Sequence, residues 1–355
     1  MNNRQNVLKA LRRKNPSKVP FDFTLCPAQI EIFKQKTGHS DYMEFFDFPF
    51  RYIEPNKTNK NYDYKSFYKE LPKEAKPLNW NPKWGIYGVN SGTAHFQDML
   101  HPMQSFSSIE EFESYPFPDF DEEYRWVGLK ERVDELKNKD LIAVANMQMT
   151  IFEISWYLRG LDKFFIDMMM FENLSEYLLE KVTKIREEMA KNYALSGADI
   201  LMLGDDIASQ RDMMLDPALW RKVLKPKLKR VVDAAKKANP DILIFYHSDG
   251  NLIKVIPDII EVGIDVLNPV QPECMDPVFL KREFGDDLSF WGAVGTQTVL
   301  PFYTKEQVKD TCKSLIQQVG DGGGLLLAPT HVIEPEVPFE NIMAFLEAIE
   351  EYGTY

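Results

Sequence analysis

From about residue 140 to the C-terminus, short runs of Ile, Leu and Val alternate in regular order with segments of helical period. The apolar runs "LIAVANMQM" (141–149), "ADILMLGDD" (198–206), "DILIFYHSDG" (241–250), "IDVLNPVQP" (264–272), "LSFWGAVGTQ" (288–297) and "GGLLLAPTH" (323–331) each predict a strand. Between them, stretches such as "DPALWRKVLKPKLKRVVDAAKKANP" and "TKEQVKDTCKSLIQQVG" predict helices, and "FENIMAFLEAIEEYG" predicts a closing helix. Adding "VPFDFTL" (19–25) brings the candidate strands to seven. Continuous apolar strands separated by helices belong to a parallel sheet covered on both faces or closed on itself. The expected class is therefore α/β, a single (β/α)8 TIM-type barrel spanning residues 1–355. A doubly wound open sheet is the alternative, but no strand runs into a GxGxxG turn.

Residues 45–125 break the alternation with a Pro-, Asn-, Tyr- and Phe-rich stretch, read as a cap or insertion near the barrel mouth with a small antiparallel unit. The formal net charge of -12 argues against nucleic acid or an anionic membrane surface as the main partner and favours a small molecule or another protein. Three scattered cysteines provide no disulfide framework. The basic, amphipathic start lacks the apolar core of a signal peptide, so the expected location is the cytoplasm. Oligomeric state is left open.

In such a barrel, function gathers at the C-terminal ends of the strands. Those ends carry Asn146 and Gln148, then Asp205 and Asp206, His247 to Asp249, Asn268 and Gln271, Thr296 and Gln297, and Thr330 with His331. His247 and Asp249 lie two apart, so extended backbone turns both to one face, a spacing that suits two ligands of one metal. The plainer reading is a hydrogen-bonded histidine and a helix-capping aspartate. His331 ends the last strand, which a closed barrel brings back to the same mouth, and this favours a shared site. Asp205 and Asp206 offer carboxylates for acid–base work, a metal ligand set, or a strand end in which one Asp caps a turn; being adjacent they point opposite ways, so at least one faces the mouth and the two do not share a proton. The first helical turn after the 141–149 strand carries Glu153, a candidate acid–base group or a favourable charge on a helix start. Arg159 is expected to pair with an acid.

Taken together, "FEISWYLRGLDKFFIDM", "GDDIASQRDMMLDPALWRKVLKP", "YHSDGNLIKVIPDIIEVGIDVLNPVQP", "FWGAVGTQTVLPFYTKEQV" and "LLLAPTHVIEPEVPFENI" resemble the uroporphyrinogen decarboxylase superfamily. The decarboxylases of that superfamily grip porphyrinogen carboxylates with an arginine-rich motif, and the matching "FTLCPAQIEIF" has no arginine. The resemblance is closer to the corrinoid-dependent methyltransferase branch, where a His-x-Cys pair and a later Cys hold zinc. These positions fall at His247, Asp249 and His331, replacing both thiolates with O and N donors. The resemblance thus implies a zinc or other divalent metal site and methyl transfer to or from a corrinoid on a separate protein. Asp205, Asp206 and Glu153 would be the acid–base groups, with Glu153 or Asp205 alternatively a fourth metal ligand, and Tyr246, Asn268, Gln271, Trp291, Gln297 and Asn146 would line the substrate pocket. A decarboxylase and a non-catalytic binding barrel are the alternatives.

Overall fold

The computed structural model describes residues 2–78, 82–92 and 97–355. In chain order its strands are β1 (Phe50–Ile53), β2 (Lys76–Pro77), β3 (Tyr87–Asn90), β4 (Gln97–Leu100), β5 (Ile142–Asn146), β6 (Ile200–Gly204), β7 (Leu243–His247), β8 (Val266–Asn268), β9 (Ser289–Val294) and β10 (Leu325–Pro329). β1 and β5 to β10 form one sheet in that order, with every neighbouring pair parallel. Each strand is placed beside the one before it, so the order never reverses. That winding belongs to a TIM-type barrel and rules out the doubly wound alternative, which needs a switch point.

The segment 19–25 fills the gap between β10 and β1. On one side it makes parallel bridges from Phe21 to Leu327 and from Leu25 to Ile333. On the other, the rings of Phe21 and Phe23 stand 5.5 and 4.9 Å from Phe48, just before β1. Pro20 has no N–H to donate, one reason this edge closes by isolated bridges and aromatic packing instead of a ladder. Across the interior, Phe50 of β1 lies 4.9 Å from Trp291 of β9.

The 45–125 stretch thus contributes β1 to the barrel sheet, while β2, β3 and β4 make a separate antiparallel sheet. Residues 101–104 dock on the helix Phe152–Arg159 that follows β5. The Met103 N–H donates to the Leu158 carbonyl, and buried Arg159 donates to Asp167 at 2.7 Å and to the Met103 and Gln104 carbonyls. His101 Nδ1 lies 2.8 Å from the Tyr157 carbonyl, while His95 lies outside the described residues. Outside the sheet, the apolar stripes of the helices Glu172–Leu195 and Lys225–Ala238 are buried, with Leu178, Leu179, Val182, Val231, Val232 and Ala235 all at 1% exposure or less. Each such side chain contributes about 1.5–3 kcal/mol relative to exposure, less for the alanine.

The helix Phe152–Arg159 is held by its neighbours. Asp205, buried just beyond β6, accepts hydrogen bonds from the Ile151 N–H at 3.0 and 3.1 Å and from the Glu153 N–H at 2.9 Å. These donors have no partner within the helix, so Asp205 acts as its cap from a distant part of the chain. Arg186 fixes the preceding turn by donating to the Met149 and Thr150 carbonyls.

Three truncations have expected stability outcomes. Phe48→Ala is expected to cost about 3–5 kcal/mol in a denaturant melt, because the ring fills the closing edge. Phe302→Ala, at a 77% exposed position, should stay within about 0.5 kcal/mol. Asp205→Ala leaves two buried N–H groups unpaired and should cost about 3 kcal/mol in the same assay, with Asp205→Asn costing less.

Candidate functional site

The parallel register sets Gly204, His247 and Asn268 side by side at the ends of β6, β7 and β8. Aligned residues of neighbouring strands point to the same face about 4.8 Å apart. His247 Nδ1 accordingly meets Asn268 Oδ1 at 2.5 Å, while Asn268 Nδ2 donates to the Trp291 carbonyl at 2.8 Å. The second bond orients the amide so that its oxygen faces the imidazole. His247 then carries a proton on Nδ1, and in the neutral imidazole Nε2 is left with a free lone pair. Gly204 permits this packing, since a Cβ there would stand 2.7 Å from the His247 Cβ.

That lone pair faces two carboxylates. His247 Nε2 lies 3.6 Å from Asp206 Oδ1 and 4.0 Å from Asp249 Oδ1, and donor atoms of the three residues all fall within 4.8 Å of one another. The Asp249 N–H donates to Asp206 Oδ1 at 2.8 Å, tying the two acids together through the main chain. Asp249 Oδ1 is buried and has no hydrogen-bond partner. It caps no helix, because the next turn begins at Ile253. Gly250 follows with φ of 86°, where a Cβ would strike the Ser209 carbonyl oxygen at 2.4 Å. Burial pushes Asp249 above the usual carboxylate value; His247 pulls it down, Asp206 pushes it up, and His331 pulls it down.

A cavity of about 350 Å³ opens beside this cluster at the strand ends. Glu153 lines it at 6% exposure and accepts from the Tyr157 hydroxyl at 3.0 Å. Burial holds Glu153 well above the usual carboxylate range, and the charges of Asp206 and Asp205 push the same way. Asn268, Trp291 and His331 also line the cavity, His331 as an exposed residue.

Other candidates take different places. Asp205 turns away from the cavity to cap the helix, as adjacent positions on extended backbone require, and its neighbour Asp206 takes the cavity side. Alternation likewise buries Tyr246 on the far face of β7, between the cavity-lining Phe245 and His247. Gln271 is buried and supports the turn after β7 by accepting from the Gly250 N–H at 2.8 Å. Asn146 is exposed and accepts from the Gln148 N–H, and Gln297 accepts from Gln210, so neither lines the cavity. His331 shares the cavity but is not among the three residues whose donor atoms converge.

Sequence reasoning missed Asp22, Tyr52, Tyr157, Met202 and Phe245, all of which line the cavity. Three of these carried a readable signal: Tyr157 lies four residues after Glu153 on one helix face, Met202 is in phase with Asp206, and Phe245 is in phase with His247. Asp22 and Tyr52 depend on how the barrel closes.

The chain matches the family model described as uroporphyrinogen decarboxylase (URO-D) over residues 102–352. It is 28% identical over 179 residues to the methylcobamide:CoM methyltransferase MtaA of Methanosarcina barkeri, a match spanning 49% of each chain. To the uroporphyrinogen decarboxylase of Rickettsia africae it is 27% identical over 263 residues, covering 72% of this chain and 73% of that one. Among solved structures, a methyltransferase from Methanosarcina mazei superposes with a TM-score of 0.69 at 19% identity, covering 99% of both chains, which supports the fold. The match to the first of these relatives thus spans about half its length. With the family model covering most of a barrel whose strand ends converge on one polar mouth, the chain belongs to the uroporphyrinogen decarboxylase family.

Proposed function

We propose that this protein is a metal-dependent methyltransferase that moves a methyl group between a small methylated substrate and a corrinoid carried by a separate protein. The observation behind this reading is the cluster of Asp206, His247 and Asp249. Its facing atoms are all acceptors, one of them is buried without a partner, and the Asn268 bond holds the histidine in the tautomer that can donate a lone pair. Two donors about 2.1 Å from one tetrahedral ion stand about 3.4 Å apart, close to the 3.6 and 4.0 Å separations here. Mixed carboxylate and imidazole donors suit zinc or another divalent metal. When bound, such an ion supplies Lewis acidity toward the heteroatom that bears the methyl group.

In this reading, Asp206, His247 and Asp249 hold the metal, Asn268 orients His247, and His331 contributes from the rim. The Glu153–Tyr157 pair supplies the proton-handling groups of the cavity wall. Methyl transfer would leave the bond's electron pair on the heteroatom, and a reduced corrinoid supplied by the separate protein would provide the acceptor for the methyl carbon. The reverse transfer uses the same groups. A cytoplasmic location fits this assignment, and among the described residues no helix is long and apolar enough to cross a membrane.

The charge of the cavity weighs against decarboxylation of a porphyrinogen. Its lining includes Asp22, Glu153 and Asp206 and, among the described residues, neither Arg nor Lys, the wrong sign for a polycarboxylate. Burial pushes Asp22 up to about 7 from 3.8, with the Phe23 N–H pulling the other way. A carboxyl group whose folded value is raised favours the folded state fully below its unfolded value, and that contribution is lost as pH rises through about 7.

Elemental analysis of zinc-loaded protein is expected to find near-stoichiometric metal, lost in His247→Ala, Asp206→Ala and Asp249→Ala and kept in His331→Ala. Asn268→Ala should weaken metal affinity by about 10–100-fold. Wild-type protein that stays metal-free after loading defeats the proposed mechanism. With metal bound, methyl transfer involving a methylated corrinoid protein, followed by corrinoid absorbance, should fall in step with metal content across these variants. Asp22→Asn should raise the melting temperature above pH 7 and leave it unchanged near pH 4.

A further inference from the structure

Asp22 is the one cavity-lining acid that neither the metal cluster nor the Glu153–Tyr157 pair employs. It sits in the segment closing the barrel between β10 and β1. Counting round the ring from that segment, β1, β5, β6 and β7 follow, so with eight positions Asp22 stands opposite His247. Among the described residues its carboxylate makes no ion pair with a Lys, Arg or His side chain, and the Phe23 N–H is the group that favours its charged form. Tyr52, on β1, faces the same cavity at 54% exposure. Tyr52 and Trp291 both line the cavity, and Trp291 is held by ring contacts to Phe50 and Phe245 at 4.9 and 5.3 Å.

The cavity therefore has two dissimilar poles. At one, the imidazole and two carboxylates suit a metal and the heteroatom it would polarise. At the other is an acid without a counter-charge, and the aromatic side chains of Tyr52 and Trp291 share the same cavity lining, a combination that attracts an organic cation by charge and by the ring quadrupole. Replacing water around a carboxylate with a fixed cationic partner also removes the cost of burying it unpaired.

We propose that the methylated substrate is bipolar, with the methyl-bearing heteroatom at the metal cluster and a cationic ammonium group seated on Asp22 beside Tyr52 and Trp291. This rests on the reading of the cavity as a methyl-transfer site and adds the substrate class. The ammonium group anchors the molecule and keeps its charge throughout, so the methyl comes from the other end. A volume of about 350 Å³ limits the substrate to a small molecule.

The test uses the full-length, zinc-loaded protein and three probes of similar size: tetramethylammonium, the neutral 2,2-dimethylpropan-1-ol and the anionic methanesulfonate. Calorimetry on wild type should show tetramethylammonium binding about 10-fold or more tighter than the alcohol, with methanesulfonate weakest. Asp22→Asn should bring the cation and the alcohol to within about 2-fold of each other, and Tyr52→Leu should weaken cation binding specifically. Circular dichroism and metal content on the same samples check that each variant is folded and loaded. Equal binding of alcohol and cation by wild type, a preference for the anion, or a cation preference unchanged in folded Asp22→Asn overturns the assignment. The two readings separate cleanly: full metal content without cation preference defeats this inference alone, whereas cation preference in a protein that takes up no metal defeats the metal centre alone.

Discussion

The site depends first on the parallel register that puts Gly204, His247 and Asn268 in one row. A slip of one residue along β7 would turn His247 toward the helices and bring Tyr246 to the cavity, because side chains alternate strictly along a strand. The row is stabilised from both sides. Gly204 allows close approach of the His247 Cβ, and Asn268, itself held by the Trp291 carbonyl, dictates which ring nitrogen carries the proton. The cluster at the mouth follows from that row, which directs His247 Nε2 at two carboxylates.

Around that row the molecule separates support from chemistry among residues that look alike in the sequence. Asp205 and Asp206 are neighbours of identical type, yet one caps a helix 52 residues earlier in the chain and the other joins the histidine. Gln271 and Asn268 are both amide side chains after the same strand run, yet one braces the Gly250 turn and the other sets a tautomer. The physical cause in each case is direction. For the two aspartates, backbone alternation assigns one to the packed face, where a polar group must find a buried partner, and the other to the cavity, where it is available to a ligand; Gln271 lies beyond β8 in a turn that directs it to the Gly250 N–H.

The closing edge of the barrel carries the second theme. The 19–25 segment lacks a full ladder and is held by aromatic packing against Phe48, yet it delivers Asp22 to the cavity. Chain closure thereby brings together acids that lie far apart in sequence, and no Arg or Lys among the described lining residues offsets them. A mouth of that charge suits metal and cationic ligands and works against anionic ones.

The sequence by itself determined the fold class, because continuous apolar strands separated by helices can be buried only in a parallel, helix-covered sheet. It also singled out the mouth, since six successive strand ends turned polar in step, and it paired His247 with Asp249 because extended backbone repeats every two residues. Tertiary structure alone decided that Asp206 joins them, that His331 stands at the rim, and that β1 emerges from a stretch whose composition resembled a loop. Those outcomes depend on register and closure between segments scores of residues apart. Local periodicity shows which way a side chain points along its own strand, but not which side chain of another strand it will meet.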